Sequence, residues 1–307
     1  MQESQQLLSH PVARGLSILG DRWTILILRE VFLGKHRFEE FRSATGASRG
    51  TLSNRLEGLV RNGIVYKNPY QSTPVRYEYK LTDKGVGLYP WALLMWQWET
   101  EWGADTAHEL PTKLYHRLGG GHLLCPKTLC RHCHKELHFD DIERTNNELI
   151  ADASPQNLNP IGSQRRSKAS VNNTQLLGHI TDIIGDRWTY LLLGAAFMGL
   201  TRYDDFLQLL GLATNILADR LKLMVDTGIL SRDQYQKNPP RFEYHLTEKG
   251  KAIYPQTMVL RQWVLEWLPK VNHPFILKHR LCGHTLDADV ICQGCGEIPR
   301  ADSVQFN

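Results

Sequence analysis

The chain has 307 residues, 42% of them hydrophobic, with a formal net charge of +4. That length holds two or three domains of ordinary size, and the mild positive balance permits a nucleic-acid partner without demanding one. The polar start Met1-Gln2-Glu3-Ser4-Gln5-Gln6 lacks the form of a secretory signal, and apolar runs such as Leu26-Ile27-Leu28 are too short to span a bilayer, so a cytoplasmic protein with no membrane partner is expected.

Gly20-Asp21-Arg22-Trp23 returns as Gly185-Asp186-Arg187-Trp188, and residues 20–102 align without a gap on 185–267. Identity is roughly 40%, which marks a tandem repeat of one domain-sized module. In the first copy Asp21 caps a helix running through Trp23, Ile25, Leu26, Leu28 and Val31 to Phe32, apolar nearly all round and so buried. A short helix spans Phe38 to Arg42, and a turn follows at Gly46-Ala47. The next helix, Arg49 to Asn62, places Leu52, Leu56, Leu59 and Val60 at i, i+4, i+7 and i+8, one apolar face. Gly63 ends it. A strand from Ile64 to Lys67 leads into a loop with Pro69 and Pro74, and a second strand, Arg76 to Leu81, alternates with period two. Thr82 caps a last helix carrying Leu88, Leu93, Leu94, Trp96, Trp98 and Trp102. The crowd of tryptophans reads as packing between the two copies.

Three helices, a hairpin and a helix make a helix-turn-helix with a wing. The expected class is therefore α+β, mainly α. Two winged helix-turn-helix domains, 1–105 and 175–270, are each followed by a small Cys-containing β-hairpin module of zinc-ribbon-like form, 106–150 and 271–307. A polar linker with the run Arg165-Arg166-Ser167-Lys168 fills 151–174.

Particular residues carry a resemblance to a known family. His10-Pro11-Val12, Gly20-Asp21-Arg22-Trp23-Thr24, Arg37-Phe38-Glu39-Glu40-Phe41, Thr51-Leu52-Ser53-Asn54-Arg55-Leu56, Pro74-Val75-Arg76-Tyr77-Glu78-Tyr79 and Leu81-Thr82-Asp83-Lys84-Gly85 stand in order. This set resembles HxlR-type winged-helix transcriptional regulators. The second half matches through Arg202-Tyr203-Asp204-Asp205-Phe206, Leu217-Ala218-Asp219-Arg220-Leu221, Arg241-Phe242-Glu243-Tyr244 and Leu246-Thr247-Glu248-Lys249-Gly250. The resemblance implies double-stranded DNA as partner and a dimer joined largely through terminal helices. Here that dimer would be an intrachain pairing of the two repeats, with a further homodimer open. Several such regulators sense electrophiles through a cysteine before the N-terminal Pro-Val. His10 and Gln175 stand at those places, so that route does not carry over.

The reading helix presents its N-terminal end to base edges. Ser48, Arg49, Thr51 and Asn54 are the candidates, with Arg49 suited to guanine and Asn54 to adenine. For Ser48 a plain N-cap is the competing role. Arg55, with its counterpart Arg220, either holds a phosphate or braces the helix through an internal ion pair. Arg76 and Arg241 on the wings suit phosphates, with Lys67 and Lys237 nearby. Thr214 and Asn215 are the second copy's base-facing candidates. Ala47-Ser48-Arg49-Gly50-Thr51 and Leu212-Ala213-Thr214-Asn215-Ile216 match at none of the five aligned positions, while core leucines persist. The copies should therefore read different half-sites, the first more strongly.

All six cysteines follow the two modules. Such clusters in a reducing compartment point to metal before disulfide. Cys282, His284, Cys292 and Cys295 make one tetrahedral candidate set. His122, Cys125, Cys130 and Cys133 make the other, with His116, His132 and His134 close by. Up to two structural zinc ions are expected; a thiol switch and plain reduced thiols stay open. No Ser-His-Asp set, phosphate loop or open catalytic metal motif appears, so an enzyme is not expected. The leading function is a sequence-specific transcriptional regulator, repression its expected sign, on an imperfect palindrome. The alternatives are a winged-helix protein-interaction module and a metal- or thiol-responsive sensor with weak DNA binding.

Overall fold

The computed structural model describes residues 11–103, 113–146, 178–269 and 275–306. The linker expected at 151–174 lies outside them.

The first repeat opens on a helix that periodicity did not reveal, α1 (Pro11–Leu19). Helix α2 (Arg22–Phe32) starts where Asp21 accepts hydrogen bonds from the backbone of Trp23 and Thr24, and it buries every residue from Thr24 to Val31. Helix α3 (Phe38–Thr45) stops at Gly46, whose φ of 69° suits glycine. Helix α4 (Arg49–Arg61) buries Leu52, Leu56 and Leu59, the face its spacing predicts. The wing pairs β1 (Val65–Ser72) with β2 (Val75–Leu81), Val65 opposite Leu81. Pro69, expected in a loop, lies inside β1, where the register shifts between Pro69 and Gln71. A two-stranded ribbon has free edges and a bulge, where the missing proline N–H costs nothing. The single terminal helix expected from the sequence is two, α5 (Asp83–Val86) and α6 (Tyr89–Trp102). Thr82 caps only the short one, and Pro90 opens the second, where a missing N–H is tolerated.

The corner at Thr82 explains the repeated Leu-Thr-x-Lys-Gly motif. Thr82 Oγ1 donates to Gly63 O at 2.6 Å and accepts from Gly85 N at 3.1 Å. Lys84 Nζ reaches Asn62 O at 2.9 Å. A Cβ on Gly85 would sit 2.1 Å from Ile64 O, so only glycine lets α5 approach the strand. Thr247 and Gly250 repeat the corner. Gly85→Ala is expected to lower stability by about 1–3 kcal/mol, as overpacking does. Gly58→Ala, in helix α4 with open space around it, should instead gain about 0.5–1 kcal/mol. Thermal melts of the two variants check both signs.

The second repeat gives α7 (Gly178–Ile184), α8 (Arg187–Phe197), α9 (Tyr203–Leu210), α10 (Thr214–Asp226), a wing of β7 (Leu230–Gln236) and β8 (Arg241–Leu246), α11 (Glu248–Lys251) and α12 (Tyr254–Trp267). Among the described residues the Cys-rich parts contribute seven strands. After the first repeat come β3 (Leu114–His116), β4 (His122–Leu123), β5 (Pro126–Cys130) and β6 (Ile142–Asn146). In copy two they are β9 (Phe275–His279), β10 (Ala288–Cys292) and β11 (Val304–Phe306). Local antiparallel turns lie in each Cys-rich part, β3 with β4 and the bridges Leu129–Glu136 and Lys278–Thr285, and further pairings join the repeats: β3 also with β11, β5 with β10, and β6 with β9.

The chain divides into two compact units, and each draws on both repeats. One comprises Ile18–Lys127, Ser170–Gly185 and Val290–Asn307; the other comprises Met1–Ser17, Thr128–Ala169 and Asp186–Asp289. In the first unit the winged helix of repeat one holds helix α7 of repeat two. Buried Glu99 on α6 accepts N–H bonds from His179 at 3.1 Å and Ile180 at 2.7 Å, and Arg22 pairs with Asp182. In the second unit α1 of repeat one lies on α12 of repeat two. There a Cβ on Gly15 would meet Val264 Cγ2 at 2.8 Å. Trp91, Trp96 and Trp98 are core residues of the first unit. No helix among the described residues is long and apolar enough to cross a membrane.

Candidate DNA-reading faces and metal centres

With its leucines inward, α4 exposes Arg49 and Asn54. Ser48 caps the helix, accepting from Thr51 N at 3.2 Å, and its hydroxyl also lies 2.9 Å from Thr51 Oγ1. Arg49 touches Glu39 at 2.9 Å, but both side chains are exposed. Such a pair is worth well under about 1 kcal/mol and leaves the guanidinium available. Arg76 and Lys67 are exposed on the wing, beside exposed Tyr66, Tyr70 and Tyr77. In the second unit Thr214, Asn215 and Arg241 are exposed, and Tyr203 Oη donates to Thr214 O at 2.9 Å.

Arg55 and Arg220 take the bracing role. Arg55 Nε lies 2.6 Å from Asp21 Oδ2. Arg220, 8% exposed, holds both carboxylate oxygens of Asp186 at 2.9 and 2.8 Å. The aspartate of Gly-Asp-Arg-Trp thus caps one helix and ties down the reading helix behind it. Both arginines thus pair with an aspartate behind their helix.

The cysteines meet in two groups, each of four donors within 4.8 Å of one another: His116, His122, Cys292 and Cys295, and Cys130, Cys133, His279 and Cys282. This corrects the grouping expected within each repeat. Strand β10 separates Cys282 and His284 from Cys292, and five extended residues span roughly 16 Å, far beyond a shared ion. Arg131 N donates to Asp287 O and Gln293 N donates to Cys125 O, so β5 and β10 run antiparallel. The corner after β5 therefore lies beside the start of β10, and the corner after β10 beside the start of β5. Cys125 contributes its carbonyl and His284 stacks on His132 with ring centroids 4.4 Å apart; neither belongs to a group. His116 and His279 take their places. Both stand at the same point of Leu-Tyr-His-Arg-Leu and Leu-Lys-His-Arg-Leu, a signal that identified the approach to each module but not its ligand.

His122 Nε2 to Cys292 Sγ is 3.1 Å, Cys295 Sγ to His116 Nδ1 is 3.2 Å, Cys133 Sγ to His279 Nδ1 is 3.2 Å, and Cys130 Sγ to Cys282 Sγ is 3.9 Å. A tetrahedron with Zn–S near 2.3 Å and Zn–N near 2.0 Å has edges of about 3.3–3.8 Å. The donor sets and spacings fit such an ion. Ser303 Oγ donates to Arg300 O, so His116 Nε2–H donates to Ser303 at 3.1 Å and the Nδ1 lone pair faces the thiols. Burial pushes the Cys292 thiol up, but hydrogen bonds from the backbone near Cys125 and Gly294 and from His122 outweigh it and pull it down to about 6. Burial raises Cys130, while the backbone at Lys135 lowers Cys133. All six cysteines are free thiols.

Relatives of the chain carry regulator names. The uncharacterized HTH-type transcriptional regulator Rv3095 of Mycobacterium tuberculosis is 38% identical over 129 residues, 42% of this chain and 82% of the relative. YvaP of Bacillus subtilis, of the same description, is 40% identical over 90 residues, 29% of this chain and 83% of the relative. The crystal structure of PA1607 aligns at a TM-score of 0.37 with 33% identity, covering 46% of this chain and 96% of that one. The model of the HxlR-like helix-turn-helix matches residues 18–107 and again 183–272; with more than half of its length matched, the chain belongs to the HxlR-like helix-turn-helix family.

Proposed function

We propose that this chain is a sequence-specific, DNA-binding transcriptional regulator, a repressor, that acts as an intrachain pseudo-dimer on an imperfect palindrome. The observation that carries the reading is the exposed N-terminal end of α4, with Arg49 and Asn54 beside the basic wing at Arg76, rebuilt on α10 with Thr214 and Asn215 beside Arg241. The regulator names of its relatives support it. The exchange of α1 and α7 supports the pseudo-dimer, since each unit is completed by a helix from the other repeat. Two zinc ions, one in each Cys/His group, would clamp the exchanged segments by holding donors from both repeats; structural zinc adds folding energy, not chemistry.

Base contact is expected from Arg49, Thr51 and Asn54 in one half and Thr214 and Asn215 in the other; phosphate contact from Lys67, Arg76, Lys237 and Arg241. A good bidentate contact to guanine is worth about 1–3 kcal/mol. Arg49→Ala should therefore weaken operator binding about 5- to 150-fold in a gel-shift titration, and Thr214→Ala markedly less. Equal losses on one operator would remove the asymmetry. Arg76→Ala should flatten the slope of log affinity against log salt by about 0.9. A salt-insensitive or sequence-blind shift would favour the protein-interaction reading instead.

A further inference from the structure

Helix α8 carries a glycine that its own geometry does not require. Gly194 sits mid-helix, and a Cβ there would meet nothing within 4 Å. Glycine is among the poorest helix formers, so neither close packing nor a left-handed backbone accounts for it. It opens onto a cavity of about 490 Å³ wholly inside the second unit, a size that takes small ligands. The first repeat has Arg29 at the equivalent position, 8% exposed and bonded to buried Glu30 at 2.6 Å. There the matching walls, with Phe32, Tyr89 and Leu114 for Phe197, Tyr254 and Leu277, enclose only about 50 Å³. The same fold is plugged in one copy and open in the other.

The open cavity has a definite chemistry. Phe139, Phe197 and Tyr254 stand in mutual contact with ring centroids 5.5, 5.2 and 5.0 Å apart, which makes an aromatic wall. Arg144 and Arg280 lie on its lining. The lining's acid, Asp140, already faces Lys251 at 3.4 Å. Arg144 is solvent-exposed over much of its surface, yet partial burial lowers its pKa, as for a cation drawn toward an apolar space. Tyr190 Oη lies 2.7 Å from Thr257 Oγ1, which itself donates to Ile253 O at 3.2 Å. Tyr190 is thus the donor of that pair and keeps a lone pair to accept a bond. The first repeat has Ile25 and Ala92 at these positions.

We propose that the second unit holds a binding site for one small aromatic carboxylate, its rings against Phe139, Phe197 and Tyr254 and its carboxylate toward Arg144 and Arg280. A bare phosphate would leave the aromatic wall unfilled, and a neutral hydrocarbon would ignore the two guanidiniums. The test titrates the full chain, without DNA, with 2-naphthoate and 1-pyrenecarboxylate, following ligand fluorescence; methyl 2-naphthoate is the uncharged control. The expected result is one saturable site per chain for the acids, with the ester weaker by about tenfold or more, as for a lost charge-assisted pair. Gly194→Leu should abolish binding at an unchanged melting temperature. Gly194→Ala should keep it. Arg144→Gln with Arg280→Gln should bring the acids down to the ester. The site is overturned by no saturable binding of either acid, by two sites per chain, by an ester as tight as the acids, or by undiminished binding to folded Gly194→Leu. If Gly194→Leu does not fold, unchanged acid affinity in the double-glutamine variant overturns it equally.

Discussion

Purified protein is expected to carry two zinc ions, and a variant with Cys130→Ser, Cys133→Ser, His279→Ala and Cys282→Ser together should still carry one. These four residues form a single donor group although about half the chain separates them. Had each module closed on itself, the same variant would damage both sites and lose both ions. The converse set, His116→Ala, His122→Ala, Cys292→Ser and Cys295→Ser, should likewise cost one. Cys125→Ser and His284→Ala should cost none. Plasma emission spectrometry counts the metal. The effect on stability should be large. Structural zinc contributes about 10–16 kcal/mol of binding energy in small modules, comparable with the whole stability of an ordinary domain. Exhaustive chelation should therefore unfold the Cys-rich strands, seen as lost hydrogen-exchange protection at β5 and β10. A chain that purifies without metal, with its melting temperature unmoved by chelator, would leave the thiol reading in its place.

Asp186→Ala should be among the most damaging single substitutions in the second unit. Two effects combine. The lost N-cap to Thr189, at 2.9 Å, costs about 1 kcal/mol. The greater cost is the stranded guanidinium: Arg220 is 8% exposed and spends two hydrogen bonds on Asp186. Breaking such a buried pair by removing one partner costs about 3–5 kcal/mol. The orphaned charge therefore decides the outcome. Adding Arg220→Met to Asp186→Ala should recover most of the loss, because an apolar side chain needs no partner there. Asp21→Ala should cost about 1–2 kcal/mol, near the cap alone, since the Arg55 side chain is 33% exposed and water can take over. Urea melts of the four variants test the ranking. Equal losses at Asp21 and Asp186 would mean that burial of the arginine is not what sets the cost.

What could be read ahead of the structure follows from the reach of each interaction. The Asp21 cap, the leucine face of α4 and the alternation of β2 are local patterns, and each forms as its spacing implies. The break between α5 and α6 was written in Thr82 and Pro90, two start signals eight residues apart, but the apolar run through Leu88 hid it. Helices α1 and α7 were not legible. Each is short, and its support comes from the other repeat, Glu99 for α7 and the surface around Val264 for α1. The metal grouping failed for the same reason. Sequence proximity suggested Cys282 with Cys292, whereas antiparallel pairing of β5 with β10 joins the corner of each strand to the other repeat. For Arg55 and Arg220 the sequence left phosphate contact and an internal brace both open, because a positive charge on a helix does not announce the aspartate behind it; the ion pairs to Asp21 and Asp186 are there.

On the proposed function, one chain should read a paired site by itself. Native mass spectrometry of the protein on a duplex carrying its footprinted operator tests this most directly. The expected result is one chain per duplex, with protection over two unequal half-sites about 34 Å apart, one helical turn, and with the Arg49 half protected at lower protein concentration. Two chains per operator with equal half-sites would contradict it.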